Sequence, residues 1–425
     1  MGKDRAVSKQ RYEELLQGEG VLKTVFKAVK PAASGRGLDR VFITGVSPLV
    51  LSDMTSGYNV AESVSLDAEF NDLCGFSEAE IQTTLEQMAQ ESSGDLPQVQ
   101  ECLELMRCFY NGYCFSPRSS LRVYNPTLSL YFFKALQKQG SFPDVLLDEN
   151  LAMDRGKLRT IAQLPKGPDL IEAAIDGSRP LTLPKLQQRF GIEDIVYGQK
   201  DEAFMLSLLY FFGILTLQGR DSWGELSLRV PNLVILQLYM EQLRTYLLPG
   251  WEVRAEQDSI RGLYKSGALA PVCTAIQERI LPVFSNRDYA QVNELTIKTA
   301  FSLLLFNDGL YQMVSERPVG RGYADLVLLV RPDCRQYELL DLLLEFKYVS
   351  LQNLNLSGQE VNALGEDECW KLKAVQSALA EGLEQVRRYR IALEQEYRKA
   401  LHLRSFLVVA LGLERLLWRE VTDKS

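Results

Sequence analysis

Apolar positions recur at helical spacing in "QRYEELLQGEGVLKTVFKAVK" (residues 10–30), which predicts an amphipathic helix, and the pattern breaks at "PAASGRG". A β-rich run, "DRVFITGVSPLVL", follows. Helical periodicity returns in "SEAEIQTTLEQMAQ", opened by the capping-box pair Ser77 and Glu80, and in "LPQVQECLELMRCFYNGY", which stops at the turn-forming Asn111-Gly112. Further along, "GILTLQGRDSWGELSLRVPN" holds two alternating apolar stretches around a Gly/Asp/Ser turn. Preceded by helix-like segments, this hairpin predicts a small winged-helix-like module.

The final stretch reads helix, strand, strand, helix, strand. "DYAQVNELTIKTAFSLLLF" has helical spacing, while "YADLVLLVRP" and "QYELLDLLLEFKYV" are apolar strand runs whose short connection makes them an antiparallel pair. "AVQSALAEGLEQVRRYRIALEQEYRKAL" is a long amphipathic helix and "SFLVVALGL" a buried strand. The fold class expected is α/β: a mixed sheet flanked by helices at the C-terminus, after a mostly helical region and the hairpin module. Three zones result, 1–165, 166–275 and 276–425.

Two charges interrupt the most apolar strand. Side chains alternate along it, so Leu342, Leu344 and Phe346 face one way while Leu343, Glu345 and Lys347 face the other. Charges buried on one face are costly unless they are paired or bind something. Asp325, at the start of the neighbouring apolar run, supplies a second carboxylate, and the groups are expected to meet at one edge of the sheet. Two carboxylates beside a lysine form a hard-oxygen site suited to Mg²⁺ or Mn²⁺. Such a site can neutralise charge on a phosphodiester while the lysine positions the attacking water.

Composition narrows the chemistry further. At 425 residues, 46% hydrophobic and 24% charged, the chain is of ordinary globular character. Seven scattered cysteines without a CxxC pair read as reduced thiols. One histidine, His402, leaves no room for a His-based zinc site and makes a catalytic triad depend on that residue alone. Carboxylates and lysine must therefore carry any enzyme chemistry. A net charge of −8 argues against nonspecific coating of nucleic acid, so a polyanion would bind through a local patch. The polar N-terminus and the lack of an 18-residue apolar window predict a cytoplasmic protein, or a nuclear one in a eukaryote, that is neither secreted nor in a membrane.

"GYAD", some twenty residues, then "EFK" resembles the motif of the PD-(D/E)XK nuclease superfamily, with Asp325, Glu345 and Lys347 in its three named positions. A D/E-x-K triplet arises by chance about once or twice in a chain of this size, but here "EFK" is its one occurrence and lies on a strand. Glu294 in "VNELTIK" is similar to the carboxylate on the helix before the motif. Gln385 and Tyr389 in "EQVRRY" resemble the QxxxY element on the helix after it. The resemblance implies a metal held by Asp325, Glu345 and the Phe346 carbonyl, with Glu294 binding a second ion or water. It implies that Lys347 positions the nucleophile and that Gln385 and Tyr389 contact substrate or brace the site. Arg388, within a run of arginines, would follow a DNA backbone.

Upstream, "RVFITGVSPLVLSDMTSGYNV", "GFSEAEI", "YNGYCFS", "VYNPTLSLYFF" and "LDENLAMDRGKL" resemble the later half of an AAA-ATPase-like domain fused to such a nuclease. Thr44 is similar to the strand-end polar residue that senses the γ-phosphate. No GxxxxGK[ST] occurs and no Walker B strand is present, so no ATP binding or turnover is expected. The region reads as a truncated ATPase-like remnant, or as part of a longer gene product. Two functions compete: an Mg²⁺-dependent deoxyribonuclease acting on DNA or another nucleic acid, and a catalytically silent scaffold. A protein partner or a second copy of the chain is compatible with both.

Overall fold

The computed structural model of the protein describes residues 21–33, 37–45, 62–92, 94, 96–143, 145–146, 158, 167–176, 181–187, 201–248, 256–285, 293–307, 309–319, 322–397 and 401–422. The chain divides into two compact units whose segments alternate along the sequence. One comprises Met1–Leu73, Cys114–Leu121 and Leu181–Arg229; the other comprises Cys74–Tyr113, Arg122–Pro180 and Val230–Ser425.

In the first unit a helix spans Val21–Ala33 and runs two residues past Pro31. The expected β-rich run beginning at residue 39 is described only as far as residue 45, and that part forms no strand. Val41, Phe42 and Ile43 are exposed there; strand-forming residues do not make a strand without a partner for their backbone groups. The expected hairpin is present as β2 (Thr216–Arg220) and β3 (Leu226–Arg229). A short β1 (Leu181–Leu183) adds a third strand, giving an antiparallel sheet in the order β1-β3-β2. Asp221 fixes the turn by accepting from the backbone N–H groups of Trp223 and Glu225 at 2.9 and 2.8 Å.

The second unit opens with the helix Glu78–Glu91, whose capping box forms as the spacing predicts: Ser77 Oγ accepts from the Glu80 N–H and the Glu80 carboxylate from the Ser77 N–H. The helix Val99–Tyr110 stops at Asn111. Gly112 follows at φ +115, where a Cβ would also lie 2.0 Å from the Pro231 carbonyl oxygen. Conformation and close approach both require glycine at this turn.

The second unit's five-stranded sheet has the order β4 (Tyr311–Val319), β5 (Gly322–Val330), β6 (Asp341–Val349), β7 (Leu403–Leu411), β8 (Arg415–Glu420). β5 and β6 are antiparallel, as their short connection demands, whereas β6 and β7 are parallel and joined by a crossover containing the helix Lys373–Tyr397. β4 and β8 escape sequence patterning because both are edge strands: β4 carries Pro318, and β8 is short with polar ends. The interior strands β6 and β7 are buried on both faces, hence their nearly unbroken apolar runs.

Helix 373–397 covers one face of this sheet, packing Val375, Leu379, Val386, Tyr389 and Leu393 against Val327, Leu343, Val349, Leu407 and Val409. The other face meets the helix Glu294–Leu305, where the Phe301 and Phe346 rings lie 4.9 Å apart. By alternation, Glu345 and Lys347 belong to the row of Leu343 and Val349, the face of helix 373–397.

Candidate active site

The β5–β6 ladder pairs Leu326 with Leu344 and then stops, while β6 continues beside β7 as far as Val349. Asp325 lies immediately beyond the last pair on β5, and Glu345 immediately beyond it on β6. The backbone N–H of Phe346 donates to Asp325 Oδ2 at 2.8 Å, so a side chain takes the place of the next strand-to-strand bond. In an antiparallel ladder one residue's N–H and C=O turn to the same neighbour. The Phe346 carbonyl therefore faces the same opening. This location corrects the expectation of a site at the sheet's edge, for β5 and β6 are both interior strands. An internal fork provides the space.

Lys347 gathers the carboxylates. Its Nζ lies 3.4 Å from Glu345 Oε1, 3.7 Å from Glu294 Oε2 and 3.9 Å from Glu381 Oε1. Glu294 is the first residue of helix 294–305, and the open ladder lets it reach the lysine although that helix packs on the opposite face. Asp325, Glu345 and Lys347 are all buried, whereas Glu294 is partly and Glu381 largely exposed. Glu345 Oε2 is buried with no hydrogen-bond partner.

Electrostatics follow from this crowding. Burial, reinforced by the Asp325 charge and only partly offset by Lys347, pushes Glu345 up to about 8. Burial also lifts Glu294 to about 7; Lys347 opposes the shift, and Asp325 and Glu381 add to it. Burial works against the Lys347 ammonium, yet Glu294, Glu345, Asp325 and Glu381 outweigh it and raise its pKa. Lys298, buried one turn along from Glu294, adds a second positive charge. With every group ionised, the four carboxylates Asp325, Glu294, Glu345 and Glu381 exceed Lys347 and Lys298 by two negative charges.

The remaining expected residues lie along helix 373–397. Gln385 is half-buried, and its Oε1 is a buried atom without a partner. Tyr389 belongs to the apolar cluster under the helix, and the exposed Arg388 lies over its ring at 5.0 Å and donates to its hydroxyl. These contacts make Tyr389 and Arg388 a braced pair beside the core. Sequence reasoning missed Glu381 and Lys298. Glu381 stands four residues before Gln385 and eight before Tyr389, on one helical stripe, and Lys298 stands four after Glu294, so i, i+4 spacing was the available signal in both cases.

A second buried acid on β6 shows what a purely structural carboxylate looks like here. Asp341 accepts from the backbone N–H groups of Val330 and His402 and is paired with Arg335 at 2.6 Å. Its oxygens are satisfied, in contrast to Glu345 Oε2. The His402 side chain is exposed.

The orphaned Glu345 oxygen, the adjoining Asp325 carboxylate and the two-charge surplus that full ionisation would leave fit a divalent cation with oxygen ligands. Among the described residues, no three His, Cys, Asp or Glu side chains are gathered into a metal-ligand cluster. An ion would therefore take ligands from the backbone or water as well as from these acids.

Residues 292–420 match the family model of the PD-(D/E)XK nuclease superfamily, and the stretch includes the whole fork and every residue of the motif. This C-terminal part is a PD-(D/E)XK nuclease superfamily domain, and its mixed sheet between helices agrees with that fold. No curated protein and no solved structure matches the chain. The ATPase-like resemblance upstream stands on its motifs alone. No described helix is long and apolar enough to cross a membrane.

Proposed function

We propose that the C-terminal domain hydrolyses DNA phosphodiester bonds with Mg²⁺ or Mn²⁺. The observation that carries this reading is the convergence of Asp325, Glu345, Glu294 and Lys347 at the β5–β6 fork, with one Glu345 oxygen buried and unpartnered. Asp325, Glu345 and the Phe346 carbonyl would hold the ion, and Glu294 a second ion or a water. A bound divalent ion supplies Lewis-acid neutralisation of the phosphate's charge.

The chain's own groups do the rest. Lys347 donates hydrogen bonds from an ammonium kept charged by its acidic neighbours, so it can orient an attacking water or offset charge developing on the phosphate. Glu294, raised to about 7, can exchange a proton with water near neutral pH. Gln385 and Arg388 would meet the substrate along helix 373–397, while Tyr389 braces it.

The scaffold alternative draws on the tie between Lys347 and three carboxylates, an arrangement that is self-sufficient as an ion-pair network. On its motifs the catalytic zone is 276–425, the ATPase-like region 1–165 and the winged-helix-like module 166–275, whereas the compact units of the fold are divided at other positions. Incubating linear and plasmid DNA with the full chain and Mg²⁺ or Mn²⁺ tests the reading. Cleavage lost in Asp325→Asn supports it; wild-type protein that neither cuts DNA nor is stabilised by either ion overturns it.

A further inference from the structure

Lys347 is held by three carboxylates of unequal depth. Glu345 is 2% exposed, Glu294 41% and Glu381 66%, so Glu381 is the partner standing between the ammonium and solvent. Its placement is built into the fold. Gly382, the next residue, lies against β7 so closely that a Cβ would meet the Leu407 methyl carbons at 2.4 and 2.9 Å, and Leu407 is the register partner of Glu345. The helix backbone is thus drawn down onto the sheet beside the fork, and the Glu381 carboxylate is brought within 3.9 Å of Lys347 Nζ.

A phosphodiester approaching the fork from solvent carries the same charge as Glu381 and seeks the same hydrogen-bond donor. Of the three carboxylates, Glu381 can leave most cheaply, because it is the most exposed and regains full hydration on swinging away. We propose that Glu381 is a gating residue that holds, in the free protein, the anionic place at Lys347 that a DNA phosphate takes on binding. This rests on the nuclease reading for the identity of the incoming anion; the contact between Glu381 and Lys347 does not. Glu381 then discriminates against weakly held anions, since any ligand must displace a tethered carboxylate before it reaches the lysine.

Two measurements on the full chain, wild type and Glu381→Gln, test this, with Glu384→Gln as the control because it removes one exposed charge from the same helix. The first is the rate at which a water-soluble acylating reagent labels the Lys347 amine, followed by mass spectrometry. Glu381→Gln should raise it several-fold and Glu384→Gln should leave it unchanged. An unchanged rate in Glu381→Gln overturns the contact whether or not the protein cuts DNA. The second is the affinity for a short DNA duplex in Ca²⁺, together with KM and kcat for cleavage in Mg²⁺. Removing Glu381 should tighten binding and lower KM by about three- to tenfold, with a smaller change in kcat. An equal gain in Glu384→Gln would reduce the effect to general charge and overturn the gate. If wild-type protein binds DNA without cleaving it, the nuclease reading fails while the binding arm still decides this one; no gain in affinity from Glu381→Gln overturns it.

Discussion

Gly382 of the long helix packs so closely on Leu407 of β7 that a Cβ added at 382 would lie 2.4 Å from a Leu407 methyl carbon. Leu407 is fully buried and pairs in register with Glu345, so this contact sets the height of the helix beside the candidate site. Gly382→Ala gains about 1 kcal/mol of helix propensity but overpacks the interface at a cost of about 1–3 kcal/mol. A net loss of stability, together with weakened DNA cleavage, is expected. Leu407→Val in the same chain should restore part of both, as a urea-unfolding double-mutant cycle would show. A Gly382→Ala protein more stable than the parent and equally active contradicts the close approach.

Stability without metal should fall as pH rises across neutrality. Glu345 at about 8 and Glu294 at about 7 bind protons in the folded state that an unfolded carboxylate, near 4.3, has already released. The folded state therefore holds the more protons between these limits. The stabilisation is complete below the unfolded value and is lost as pH passes through 7 and 8. Thermal melts from pH 6 to 9 in chelator should show the melting temperature dropping by a few degrees. Glu345→Gln, or saturating Mg²⁺, should flatten that slope. A melting temperature independent of pH would show that burial and like charge do not raise these two carboxylates.

Lys347→Ala should abolish cleavage, a loss of at least a hundredfold by the usual weight of a positioned charge at a reacting phosphate. Stabilisation by Mg²⁺ should persist or grow, because removing the ammonium leaves Glu294, Glu345 and Glu381 without their shared counter-charge. Differential scanning fluorimetry with and without the ion separates the two effects. Loss of both cleavage and the metal-dependent shift would assign Lys347 to the ion's site itself.

Asp341→Ala should behave in the opposite way. It removes the acceptor of the Val330 and His402 backbone N–H groups and the partner of Arg335, all at a fully buried position. The cost should be on the order of 3 kcal/mol. If the variant folds, the Mg²⁺-induced shift should match wild type in size, since this acid lies at the far end of β6 from the fork. A lost metal response in a folded Asp341→Ala protein would point to a different ion site.

Alternation alone put Glu345 and Lys347 on one face of β6, because a strand's side-chain period of two leaves no other arrangement. The short link between β5 and β6 likewise determined their antiparallel pairing, and the apolar runs of β6 and β7 marked both as buried strands. Local spacing was equally sufficient for the capping box at Ser77 and the stop at Asn111-Gly112, whose physics involves only neighbours in the chain. What the ladder does after Leu326 and Leu344 was not legible. Whether two strands stay paired depends on what replaces their next hydrogen bond, and here that is the Asp325 carboxylate on the Phe346 N–H. Lys298 and Glu381 read as ordinary helical charges until folding carries their helices to opposite faces of one fork. Edge strands β4 and β8 were hidden because a strand with one neighbour needs less apolar surface and tolerates proline. Residue types and their order came from the sequence; the unpartnered oxygen, the shared lysine and the crowding of like charges exist only in three dimensions, since each depends on distances between segments far apart in the chain.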